Sequence, residues 1–247
     1  MPDYVTGFYR PDSFPFEQRQ AFAYDFFPAV SPAAASDAHS ALLVWVHGGA
    51  WRFGDNRGLR DISRAQGAMR ALFQRAGWAV ASVNYRYSHQ GLFPAPLHDV
   101  AEAVRFFRAN AAQFGVDAGR IAIAGGSAGG HLAMLCAFAA DSAASGFLDA
   151  ELAEYYLGFG SSAYPDVSAS VVCAGSFYGV SDVRTIFSDR PLAGCRLAHR
   201  DDDGAEWRLL GSVYPVPADT AADAPARVNW ARAHPLDMVR AAGQRCP

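Results

Sequence analysis

The sequence predicts one α/β domain with a mostly parallel sheet and helices on both faces. Three observations carry this. Short continuous apolar runs at 41–46 (ALLVWV), 78–83 (WAVASV) and 121–124 (IAIA) are followed or preceded by glycine, as strands buried on both faces often are. Segments with helical apolar spacing lie between them, so strand and helix alternate. A chain of 247 residues, 51% hydrophobic and 18% charged, suits a single such domain with a sizeable core.

The elements follow in chain order. Residues 1–20 carry Pro2, Pro11 and Pro15 and read as an irregular arm laid over the core. Residues 21–30 (AFAYDFFPAV) read as an early strand, and 31–40 as a small, polar turn. The strand at 41–46 ends in His47-Gly48-Gly49. Ile62, Ala65, Met69, Leu72 and Phe73 recur at helical spacing until Gly77. The strand at 78–83 comes next. Residues 99–114 form the clearest helix, with Val100, Ala103, Val104, Phe107, Ala111 and Phe114 on one side and Gly115 at its end. The strand at 121–124 runs into Gly125–Gly130, and HLAMLCAFAA then reads as a nearly apolar, central helix. A helical excursion at 151–159, a strand at 169–174 (ASVVCA) and a short helix within 206–214 complete the reading.

Composition excludes several function classes. Net charge is −3, and all 21 basic residues are arginine. Without lysine there is no Schiff base, no pyridoxal phosphate anchor and no P-loop lysine. No basic tract marks a nucleic-acid surface. No apolar run reaches the roughly 18 residues that span a bilayer. The first residues lack a basic segment followed by an apolar one, so the expectation is no signal peptide and a cytoplasmic protein. Cys136, Cys173, Cys195 and Cys246 form no CxxC pair, so neither a disulfide scaffold nor a metal site is expected, and no cofactor is required.

The chemistry gathers at two turns. Gly125-Gly126-Ser127-Ala128-Gly129 has the Gly-x-Ser-x-Gly spacing between a buried strand and an apolar helix. That context fits a nucleophile elbow, in which a tight turn lifts the serine Oγ free near a helix N-terminus. His47-Gly48-Gly49-Ala50-Trp51 also follows a strand. The backbone N–H groups of Gly48 and Gly49, with that of Ala128, would form an oxyanion hole for acyl transfer. His47 is read as bracing this loop rather than as the base. Trp51 and Phe53 are candidates to line the substrate pocket, with surface packing an equal account. Gly125–Gly130 does not meet the Gly-x-Gly-x-x-Gly spacing of dinucleotide sites.

The pattern resembles the alpha/beta-hydrolase fold, and within it the HGGG-type esterases, particularly the BD-FAE-like carboxylesterases. HGGAWRFGD is similar to their HGGGW-x-x-G-D segment, with Ala50 in place of the third glycine. The stretch from NYRYSHQGLFPAP through GGSAGGHLAMLCA, and later VVCAGSFYGVSDV and NWARAHPLDMV, are also similar to family stretches. The resemblance implies a serine carboxylic-ester hydrolase acting on a small-molecule ester through an acyl-enzyme. Ser127 matches the nucleophile, and Gly48, Gly49 and Ala128 match the oxyanion hole. Asp99 matches an acidic residue read as structural, favouring the N–H groups of a helix start. His131 matches a position suited to packing rather than base catalysis. An arylformamidase-like amidase and a non-catalytic binding protein on the same scaffold are the alternatives.

The likeness fails at the end. The family's acid sits in an HG-x-x-D segment after Ser127, with the histidine beyond it, and neither is found here. The last strands and both catalytic partners are expected to be missing. Three explanations compete. The chain is a piece of a longer protein, or a shortened homologue that binds rather than hydrolyses. Alternatively, Asp201–Asp203 with His199 or His234 rebuild the relay. The second predicts an exposed sheet edge at 169–174.

Overall fold

A computed structural model describes residues 4–10, 15–30, 39–186, 189, 192, 194 and 204–243. Among these residues the sheet has six strands: β1 (Val5–Phe8), β2 (Ala23–Phe27), β3 (Ser40–Val46), β4 (Trp78–Val83), β5 (Val116–Gly126) and β6 (Ala174–Phe177). Their spatial order is β1-β2-β4-β3-β5-β6. β4, β3, β5 and β6 run parallel, while β2 pairs antiparallel with β4 and with β1. Eight helices accompany them among the described residues: α1 (Ala65–Arg75), α2 (Ala95–Ala109), α3 (Ala111–Phe114), α4 (Ala128–Ala144), α5 (Ala150–Leu157), α6 (Ala205–Leu210), α7 (Pro225–Arg232) and α8 (Pro235–Gly243).

β3 is apolar throughout because both its faces are covered. Leu42, Val44 and Val46 enter the main core with Val100, Val104 and Phe107 of α2 and Leu132 and Leu135 of α4. Leu43 and Trp45 enter a smaller core on the opposite face with Val80 and Ala122, against Met69 and Phe73 of α1.

Three expectations are corrected. The arm at 1–20 is not irregular throughout, because it contributes β1 and most of a 3-10 helix at Phe16–Phe22. Its prolines fall outside β1, which is free to pair with β2, and Pro15 stands at the start of the 3-10 helix. The helix expected at 99–114 begins four residues earlier, with proline in its first turn, and Asn110 divides it from α3. The last strand is β6 at Ala174–Phe177 rather than 169–174. Its apolar valines mislead because this is the sheet's edge among the described residues: Val172 is 58% exposed.

Asp99 does not cap a helix. It is fully buried and takes a bidentate pair of bonds from Arg86 Nε and Nη2, both at 2.8 Å, with Arg10 3.8 Å away. This ties the arm, the loop after β4 and α2 together. Asp99→Asn takes the carboxylate away from the part-buried Arg86 guanidinium and leaves Arg10 beside Glu102. It is expected to destabilise the protein by about 3 kcal/mol, read as a lowered urea midpoint at unchanged slope.

Candidate active site

The strand order creates the site. The chain leaves β3 for α1 and β4 on one side, and leaves β5 for α4 and β6 on the other. The connections diverge there, at the C-terminal ends of the parallel strands, which is the switch point where α/β sheets take their ligands. His47–Gly49 and Ser127 lie at those two ends. A cavity of about 1010 Å³ lies instead at the N-terminal ends of β3 and β4, lined by Ser40, Ala41 and Trp78. Its volume does not outweigh the chemistry at the other end.

Ser127 has φ 54° and ψ −121°, the conformation of a sharp strand-to-helix turn. Such a backbone costs about 1–3 kcal/mol and persists only when its surroundings fix it. Here its N–H donates to Phe177 O at 2.9 Å, and its carbonyl accepts from His131 N at 3.0 Å. Glycines let the turn pack. A Cβ at Gly125 would lie 2.5 Å from the backbone of Gly129, and one at Gly129 only 2.1 Å from Val46 O. α4 therefore lies directly against the ends of β3 and β5, with its N-terminus and free N–H groups beside Ser127.

The glycine loop approaches from β3. A Cβ at Gly48 would lie 3.4 Å from Ser127 Cβ and 2.8 Å from Gly126 O. Gly49 (φ 121°), Ala50 (φ 52°) and Trp51 (φ 55°) turn the chain back, and Gly49 O accepts from Arg52 N and Phe53 N. His47 Nδ1 donates to Gly48 O at 2.7 Å, and its ring stacks on Tyr85 at 4.5 Å between centroids. Tyr85 Oη donates to His47 O at 3.0 Å. Desolvation lowers the pKa of His47, which suits a neutral brace.

The two pocket candidates separate. Trp51 is buried in the main core with its ring edge-on to His131, so packing is its role in the fold. Phe53 is 60% exposed beside Gly49. His131 is fully buried, and its Nε2 donates to Ala233 O at 2.9 Å. His234 is buried, with Nε2 donating to Trp230 O and Nδ1 accepting from Val183 N. Neither ring bonds Ser127. His199 and Asp201–Asp203 lie outside the described residues, as do Cys195 and Cys246. Among the described residues no hydrogen bond involves Ser127 Oγ. The sequence reading missed Arg10, a partner of Asp99, and Tyr178, whose Oη lies over Gly126. Only the positive φ at Tyr178 marks it, and no residue pattern encodes that.

Burial holds the His131 imidazole at about 4, below its ordinary 6.5. An unfolded chain takes the proton near pH 6.5, while the folded one resists it to about pH 4. The stability tied to the neutral ring is whole above pH 6.5 and is lost as pH falls towards 4, about 3 kcal/mol in all. His131→Gln is expected to flatten the decline in urea stability across that window.

Fold and site define a protein of the alpha/beta-hydrolase class. The family model described as BD-FAE matches residues 30–228, and the chain belongs to that family. Among curated relatives, Esterase LipQ of Mycobacterium tuberculosis is 33% identical over 154 residues, covering 62% of this chain and 31% of the relative. A probable N-octanoylanthranilate hydrolase, AqdA2 of Rhodococcus erythropolis, is 30% identical over 178 residues, covering 69% and 38%. Among solved structures, a bifunctional GH43-CE protein of Bacteroides eggerthii aligns with TM-score 0.61 at 25% identity, over 95% of this chain and 29% of that one. The chain thus spans about a third of the length of these curated relatives. No helix among the described residues is long and apolar enough to cross a membrane.

Proposed function

We propose that the protein is a serine carboxylic-ester hydrolase acting through an acyl-enzyme, with Ser127 as nucleophile. One observation carries this reading. Ser127 occupies a strained turn at the head of α4, with Gly48 of the glycine loop packed against it. Attack by Oγ on an ester carbonyl places negative charge on the carbonyl oxygen. The N–H groups of Gly48, Gly49 and Ala128 would stabilise that charge without reorganising. Collapse expels the alcohol, and water then releases the acid. Oγ must give up its proton to a base, and neither described histidine after Ser127 bonds it.

Relatives named as esterases support the ester reading. A second reading, amide hydrolysis, is favoured by relatives named arylacetamide deacetylase and N-octanoylanthranilate hydrolase. Initial rates on p-nitrophenyl esters and on matched anilides separate the two. Faster Ser127-dependent ester cleavage is expected. Faster anilide cleavage assigns the amidase, and Ser127-independent rates on both substrates overturn the hydrolase reading.

A further inference from the structure

Among the described residues, four that are not glycine have positive φ: Ala50, Trp51, Ser127 and Tyr178. Two turn the glycine loop and one is the proposed nucleophile. Tyr178, at φ 47°, is the fourth, and its strain is unexplained by the roles assigned so far. It follows β6, one residue after the carbonyl that holds Ser127 N. Its side chain curls back over the elbow. A Cβ at Gly126 would lie 3.0 Å from Tyr178 Oη and 3.3 Å from Cζ, so glycine before the nucleophile leaves the phenol its place. The residue is nonetheless 78% exposed, so core packing does not hold the ring there. Among the described residues its hydroxyl makes no hydrogen bond.

We infer that Tyr178 is a specificity-determining residue that contacts the ester bound at Ser127. Its ring offers an apolar face beside the scissile group, and its hydroxyl offers a hydrogen bond to a substrate oxygen. Backbone strain concentrated at a reactive centre is the expected mark of such a residue. The inference rests on the hydrolase reading.

The test compares the protein at its full natural length with its Tyr178→Phe, Tyr178→Gly and Ser127→Ala variants. kcat and KM are measured on p-nitrophenyl acetate and butyrate, beside thermal unfolding. Glycine accepts φ 47° without strain, so Tyr178→Gly is expected to keep or raise Tm. It should also raise KM about tenfold and change the acetate-to-butyrate ratio, with Tyr178→Phe between it and the parent. Unchanged KM and ratio in both variants overturn the inference. So does a lowered Tm with an unchanged ratio, which would make Tyr178 a structural brace. If the parent hydrolyses no faster than Ser127→Ala, the hydrolase reading itself fails and the inference falls with it.

Discussion

Ser127→Ala is expected to lower kcat on p-nitrophenyl esters by at least about a thousandfold while leaving the fold intact. Alanine has no atom to attack the carbonyl, so the acyl-enzyme cannot form. The remaining rate is what the N–H groups and substrate binding supply to water. The structural cost is small because no hydrogen bond involves Ser127 Oγ among the described residues. The two backbone bonds that hold the turn, to Phe177 O and from His131 N, survive the change. Unfolding stability should shift by less than about 0.5 kcal/mol. Loss of activity with equal loss of stability would instead point to a collapsed elbow.

Gly129→Ala is expected to have the largest effect on stability. Its Cβ would lie 2.1 Å from Val46 O and 2.5 Å from His47 O. Both neighbours are backbone at the end of the central strand, so neither can turn aside as a side chain could. α4 must lift from β3, which separates Ser127 from Gly48 as well. The expected cost is about 3 kcal/mol or more in urea unfolding, with activity lost in the remaining folded fraction. Gly146→Ala is the control. Gly146 has φ 71° with nothing within 4 Å of its Cβ position, so only backbone strain applies, about 1 kcal/mol.

The parallel core was legible because its strands are buried on both faces. Residues 78–83 form β4 as expected, and 41–46 fall within β3. Strand edges were less legible. Among the described residues β6 pairs with one strand, so its burial no longer tracks its apolar residues, and its position is set by pairing with Ile123–Gly126. The residues of both turns were readable as motifs because glycine is demanded by backbone contact at Gly125, Gly129 and Gly48. What lay beyond reading was long-range partnership. Asp99 looked like a helix cap, yet Arg86 comes from the loop after β4 and Arg10 from the arm. For Trp51 the residues leave pocket lining and packing equal, and only its burial edge-on to His131 separates the two. Tyr178 lies within the VVCAGSFYGVSDV stretch, but nothing there marks its role, since its strain arises only once β6 has been placed beside the elbow.

The central claim is that Ser127 is an activated nucleophile. Its most direct test is fluorophosphonate labelling of the protein isolated from its natural source, with the adduct located by peptide mass spectrometry. The account predicts a single adduct on Ser127, formed in step with loss of ester hydrolysis. An unlabelled Ser127, or an adduct at another residue accompanying the loss of hydrolysis, would contradict it.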